Sequence, residues 1–170
     1  MKWTIIILIM LSLIGSMMWM MPSQRQKYQA KLRMRAKTMG YQVQLARITG
    51  PRAEGEVEPD TVTVPAYRLM RTNMDRKESE ALKAWQVFRV RSIASDGLPD
   101  GWSWSYGEGE LSDSQLALLA EILPSMPADV VALESSPVQV SVYWQEGEKE
   151  DLEILGSLKE ELDKILSARF

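Results

Sequence analysis

Cysteine and histidine are both absent from the 170 residues, and phenylalanine occurs only twice. Without cysteine no disulfide can staple the fold, and no thiol is available as nucleophile or metal ligand. Without histidine the chain lacks the side chain that most often moves protons near neutral pH and most often ligates transition metals. The two absences argue against zinc centres, Cys-His or Ser-His-Asp catalysis and haem held by the usual His ligand. Acid is missing locally as well. From Pro22 to Arg52 there are eight basic residues and no acidic one, whereas Ala53 to Phe170 carries eleven basic and 23 acidic residues, a net charge of −12. The overall charge of −3 therefore conceals a basic neck joined to an acidic body.

A long apolar run precedes that neck. Residues 3–21, WTIIILIMLSLIGSMMWMM, carry no charge, and as a helix would extend roughly 28 Å at 1.5 Å per residue, near the hydrocarbon thickness of a bilayer. The run predicts a transmembrane anchor over residues 1–21, with Trp3 and Trp19 at the two interfaces. A cleaved signal peptide is the competing reading. The run exceeds the usual apolar core of such peptides, and large methionines stand where small residues would mark a cleavage site. Six basic residues follow within sixteen positions: Arg25, Lys27, Lys31, Arg33, Arg35 and Lys37. The positive-inside bias then predicts a single-pass inner-membrane protein, its N-terminus outside and residues 41–170 in the cytoplasm. Residues 22–40 read as a basic juxtamembrane helix closed by Gly40, its cations placed among anionic lipid headgroups. The same cations would suit nucleic acid, but the acidic body opposes a polyanion and no recognition motif accompanies them, so no nucleic-acid partner is expected.

Over residues 41–170 the periodicity predicts an α+β domain. YQVQLARI (41–48) alternates like a strand, and TVTVPAYRLM (61–70) reads as a second strand in which Pro65 implies an edge position or a bulge. A third strand begins near Lys83, after a charged turn, NMDRKESE. Ser112 and Gln115 have capping-box spacing ahead of a helix that Pro124 ends. Residues 130–134 and 138–145 form a hairpin, and Glu148 to Ser167 an amphipathic helix. Short turns between strands imply a mostly antiparallel sheet with two helices packed on one face.

One stretch, DGWSWSYGEGEL, sets Trp102, Trp104 and Tyr106 at alternate positions. On a regular strand the three rings share a face. They can then stack a sugar or a base beside Asp100, Glu108 and Glu110, or bury beneath the helix that follows. Burial is the expectation, because a domain with two phenylalanines needs bulky fillers. No phosphate loop is present, since GEGE lacks a following Lys-Ser/Thr. The carboxylates of EGEKEDLE suit a solvated helix start, and Ser135 and Ser136 have no base near them in sequence. No catalytic residue, metal site or cofactor is expected.

MPSQRQKYQAKLRMRAKTMGYQVQL, LPDGWSWS and PADVVALESSPVQVSVYWQE resemble a family of small single-pass bacterial inner-membrane proteins, a resemblance that implies no activity. The apolar run, basic neck and first strand are also similar to the small accessory subunit of the Sec preprotein translocase, over roughly the first fifty residues. The expectation is therefore a non-catalytic protein-interaction or accessory module of a membrane complex with a membrane-protein partner. The alternatives are an accessory factor of preprotein translocation, and an envelope hydrolase or glycan-binding domain using the aromatic row.

Overall fold

The structure is a computed structural model that describes residues 2–19, 23–72, 74–147 and 151–168. It divides into two compact units, residues 1–32 and 33–170. Helix α1 (Lys2–Trp19) belongs to the first. Helix α2 (Gln24–Thr38) runs across the division. At the start of α2, Ser23 and Gln26 exchange backbone-to-side-chain hydrogen bonds of 2.9 and 3.2 Å, satisfying two otherwise orphaned N–H groups. At its end Gly40 adopts φ +94° and Tyr41 N–H donates to Ala36 O, so the left-handed glycine closes the last turn.

The expected membrane span is overturned. Helix α1 has eighteen residues, opens on the charge of Lys2 and includes Thr4, Ser12, Gly15 and Ser16. With these five set aside, fewer apolar residues are left than the roughly twenty typical of a span. Among the described residues no helix is long and apolar enough to cross a membrane. This corrects the transmembrane anchor over 1–21, the signal-anchor and single-pass inner-membrane assignments, and the N-outside, body-cytoplasmic topology drawn from them. Residues 20–22, the end of the expected span, lie outside the described residues.

Residues 33–170 build an α+β unit around one six-stranded sheet. The strands are β1 (Gln42–Thr49), β2 (Thr61–Met70), β3 (Trp85–Phe88), β4 (Ser103–Tyr106), β5 (Val130–Ser135) and β6 (Gln139–Trp144). They lie in the order β1-β2-β6-β5-β3-β4, and every neighbouring pair is antiparallel. Helices α3 (Arg76–Ala81), α4 (Asp113–Ser125) and α5 (Asp151–Ser167) connect or follow them. NMDRKESE, expected as a turn, contains α3, where the Glu78 carboxylate accepts the Asp75 N–H at 3.3 Å. Pro124 sits inside the last turn of α4, which ends one residue later. Pro65 is in an interior strand rather than at an edge. The pairing of β2 with β6 starts only at Ala66, so Pro65 lies where β2 has a single neighbour, β1.

The sheet has two unlike faces. On one, Tyr67, Leu69, Val87, Leu133, Val140, Val142 and Trp144 are buried. Helix α5 covers this side: Tyr41 O–H reaches Leu155 O, and Arg71 Nη1 reaches Leu166 O. Helix α4 lies beside it, Lys164 standing 4.0 Å from Glu121. Leu119, Ile122, Leu123, Leu155, Leu158, Leu162 and Ile165 are buried along these two helices, at about 25 cal/mol per Å² of apolar surface removed from water. The other face holds Ile48, Val64, Ala66, Phe88, Ala132 and Tyr143 in one apolar cluster. Here the sheet coils strongly. Gly50, at the end of β1, lies against the Phe88 ring of β3, although three strands separate the two, and Glu54 N–H donates to Arg91 O at 2.8 Å.

Candidate functional site

Along each strand, the residues between apolar positions point to the coiled, concave face. The register aligns six of them in one row across the whole sheet: Gln42, Arg68, Ser141, Glu134, Gln86 and Tyr106. The row is polar from edge to edge. Glu134 is its anionic centre. Tyr143 O–H and Gln86 Nε2–H both donate to Glu134 Oε2, the latter at 3.2 Å. Burial, then the charge of Glu134, pushes the Tyr106 hydroxyl up to about 12. Burial and the hydrogen bond to Glu134 raise Tyr143 in the same direction.

Arg68 is the cationic counterpart, two strands and so roughly 10 Å from Glu134. Its Nη1 donates to Gln44 Oε1 at 2.9 Å, while its buried Nε has no hydrogen-bond partner among the described residues. Ser141 stands between the two charges and receives Gln139 Nε2 at 3.2 Å. The opposite charges form no ion pair with each other. Ser141 and Gln86 are themselves buried, so the row offers a partner the partly exposed Arg68 and Glu134, a donor and an acceptor flanked by the exposed Gln42 and Tyr106.

The aromatic row expected as a unit is split. Gln86 and Val87 are consecutive in β3, yet they pair with Tyr106 and Trp104, so Ser105 is an extra residue in β4. This bulge sends Tyr106, 42% exposed, to the concave face, while Trp104 stays on the helix side at 2%. Trp104 packs edge-on against Trp85 and donates from Nε1 to Asp96 O at 2.9 Å. Trp102 lies under the Arg89 guanidinium, 4.8 Å from the ring centroid. Arg89 also donates to Val130, Met126 and Pro127 carbonyls, closing the end of α4 with a cation. Trp102 and Trp104 thus sit in the packing rather than on a stacking shelf. Sequence periodicity missed Arg68, Gln86, Glu134, Ser141 and Tyr143, because attention to the apolar phase of each strand discards the opposite phase. The alternation of Gln139, Ser141 and Tyr143 with Val140, Val142 and Trp144 is the signal that held them.

Of the cations expected at a membrane interface, only Arg33 is drawn into an ion pair among the described residues. Arg25, Lys27, Lys31, Arg35 and Lys37 are exposed on α2, Trp3 is 78% exposed on α1, and the side chain of Trp19 lies outside the described residues. Arg33 instead enters the body. Its Nε and Nη2 donate to both oxygens of Glu146 at 2.8 Å, and Tyr67 O–H donates to the same carboxylate at 2.5 Å. Among the described residues there is no group of three acidic residues that could hold a metal ion. No family model, curated protein or solved structure matches the chain.

Proposed function

We propose that residues 33–170 form a non-catalytic protein-interaction module, an accessory part of a larger assembly, which docks through the concave face of its sheet. The polar row from Gln42 to Tyr106 supports this reading most directly. Its accessible members, Gln42, Arg68, Glu134 and Tyr106, spread recognition groups over four strands instead of converging them in a pocket. Two of the cavities are small. One, beside Phe88 and Gly50, encloses about 160 Å³, and another, beside Arg91 and Trp102, about 180 Å³. Sites for small organic ligands usually occupy about 300–1,000 Å³. The chemistry of the row is hydrogen bonding and charge beside the apolar cluster around Phe88, with no nucleophile set against a base among the described residues.

Photo-crosslinking tests the proposal. Benzoylphenylalanine replacing Tyr106 in the full chain is expected to give one discrete, identifiable adduct in the source cell. Arg68→Glu with Glu134→Lys should lower its yield roughly tenfold, because reversing two charges on one face opposes a complementary surface. An adduct indifferent to that reversal, or none at all, overturns the reading.

A further inference from the structure

The two edges of the sheet are finished differently. Strand β4 has four residues and a bulge, and its own loop plugs its rim: Trp104 N–H donates to Ala94 O at 2.7 Å, and Ser103 Oγ accepts Ser92 N–H at 2.9 Å. Short length, a bulge and a covering loop are the usual ways of blunting an edge. Strand β1 has none of them. Its eight residues pair with β2 in unbroken register, it contains no proline, and Leu45 stands 63% exposed on it. Beyond the ladder with β2, the N–H and C=O groups of residues 42–48 have no hydrogen-bond partner among the described residues. An open rim about 27 Å long is a template for one more strand.

Charge states what that strand is made of. Arg47 is exposed on β1, with Arg35 and Lys37 exposed shortly before it and Arg52 shortly after. None of the four has an ion-pair partner among the described residues. No acidic residue occurs between positions 22 and 52 to neutralise them. A second copy paired antiparallel along the full length of β1 would bring the Arg52 end of one copy beside the Arg35 and Lys37 end of the other, which like-charge repulsion opposes. We propose that the free edge of β1 receives an extended acidic segment of a partner protein, about eight residues long. Its backbone completes a seventh strand, an apolar side chain lies against Leu45, and carboxylates meet Arg47 and the flanking cations. This rests on the reading of the body as a docking module and names the chemistry of what docks.

The test uses the full chain and a capped decapeptide alternating glutamate and valine, followed by amide hydrogen exchange. The peptide should slow exchange at residues 42–48 roughly tenfold. Arg47→Glu with Arg52→Glu should weaken binding about fivefold or more, and a lysine-for-glutamate peptide should leave exchange unchanged. Three outcomes overturn the inference: no protection of β1 at millimolar peptide, equal protection by the lysine peptide, or protection that grows with protein concentration alone, which assigns the edge to a second copy. Because Tyr106 lies at the opposite edge of the sheet, a persistent crosslink there beside an unprotected β1 would remove this inference and leave the docking module standing.

Discussion

Glu146 is a buried carboxylate, 2% exposed, on a residue with φ +53°. A non-glycine residue in that region carries a cost of about 1–2 kcal/mol, so its contacts must outweigh the strain. They do so through the bidentate pair with Arg33 and the hydrogen bond from Tyr67. The two partners are not equivalent, because the Arg33 side chain is 41% exposed and that of Glu146 is fully enclosed. Removing the cation strands a buried anion; neutralising the anion leaves a guanidinium that water can solvate. Arg33→Met should therefore cost about 2 kcal/mol, below the 3–5 kcal/mol of fully buried pairs. Glu146→Gln should cost less, and urea midpoints of the two variants will rank them. Tyrosine sets a second residue-scale expectation. Burial is the largest influence raising Tyr41, Tyr67, Tyr106 and Tyr143 above the ordinary value of 10.0. Above pH 10 the unfolded chain loses phenolic protons that the folded chain keeps, so stability is complete below pH 10 and declines as pH rises beyond it. Urea unfolding from pH 8 to 12 should show that decline, and Tyr67→Phe and Tyr143→Phe should each flatten it.

At the scale of elements, β4 shows how one inserted residue redirects a strand. DGWSWSYG alternates cleanly, and nothing in its composition marks Ser105 as the extra residue; the bulge is visible only in the pairing with β3. Gly107 belongs to the same device. It has φ +86°, and a Cβ there would fall 2.5 Å from Trp85 Cβ and 2.9 Å from Ala84 O. Gly109 has φ +76° but open space around it. Gly107→Ala should thus destabilise by about 2–4 kcal/mol, the sum of backbone strain and overpacking against a strand. Gly109→Ala should cost about 1 kcal/mol, the strain alone. Thermal unfolding of the pair separates close approach from conformational freedom. The hairpin β5–β6 was easier to read, since its strands are neighbours in sequence and the loop from Ser136 to Val138 admits little choice of partner.

For the whole molecule, order in the chain and order in the sheet part company. β6, the last strand made, is inserted between β2 and β5, where it is buried along nearly its whole length. Coiling of the sheet then brings the end of β1 over Phe88. Phe88 is one of only two phenylalanines and is 4% exposed. Phe88→Ala should cost about 3–5 kcal/mol. It should also speed hydrogen exchange at Gly50 and Glu54, whose N–H groups donate to Asp60 and Arg91 in the segment that closes over this ring. A loss of stability without faster exchange there would show that the coil holds without the ring.

Local chemistry decided most of which stretches are helix and which are strand, α3 excepted, because hydrophobic period, capping residues and turn residues act within a few positions of themselves. Composition likewise determined that the chain has no thiol or imidazole chemistry and that all of its acids follow residue 53, leaving the cations before it without acidic neighbours in sequence. Tertiary structure decided the order of the strands, the reversal of Tyr106, the partner of Glu146 and the alignment of Arg68 with Glu134. Each depends on a contact between groups far apart in the chain: Arg33 and Glu146 are separated by 113 positions. No local pattern encodes a register between strands that meet only after the chain has folded. It is set by burying one face of every strand at once, and the opposite phase of each then falls into line.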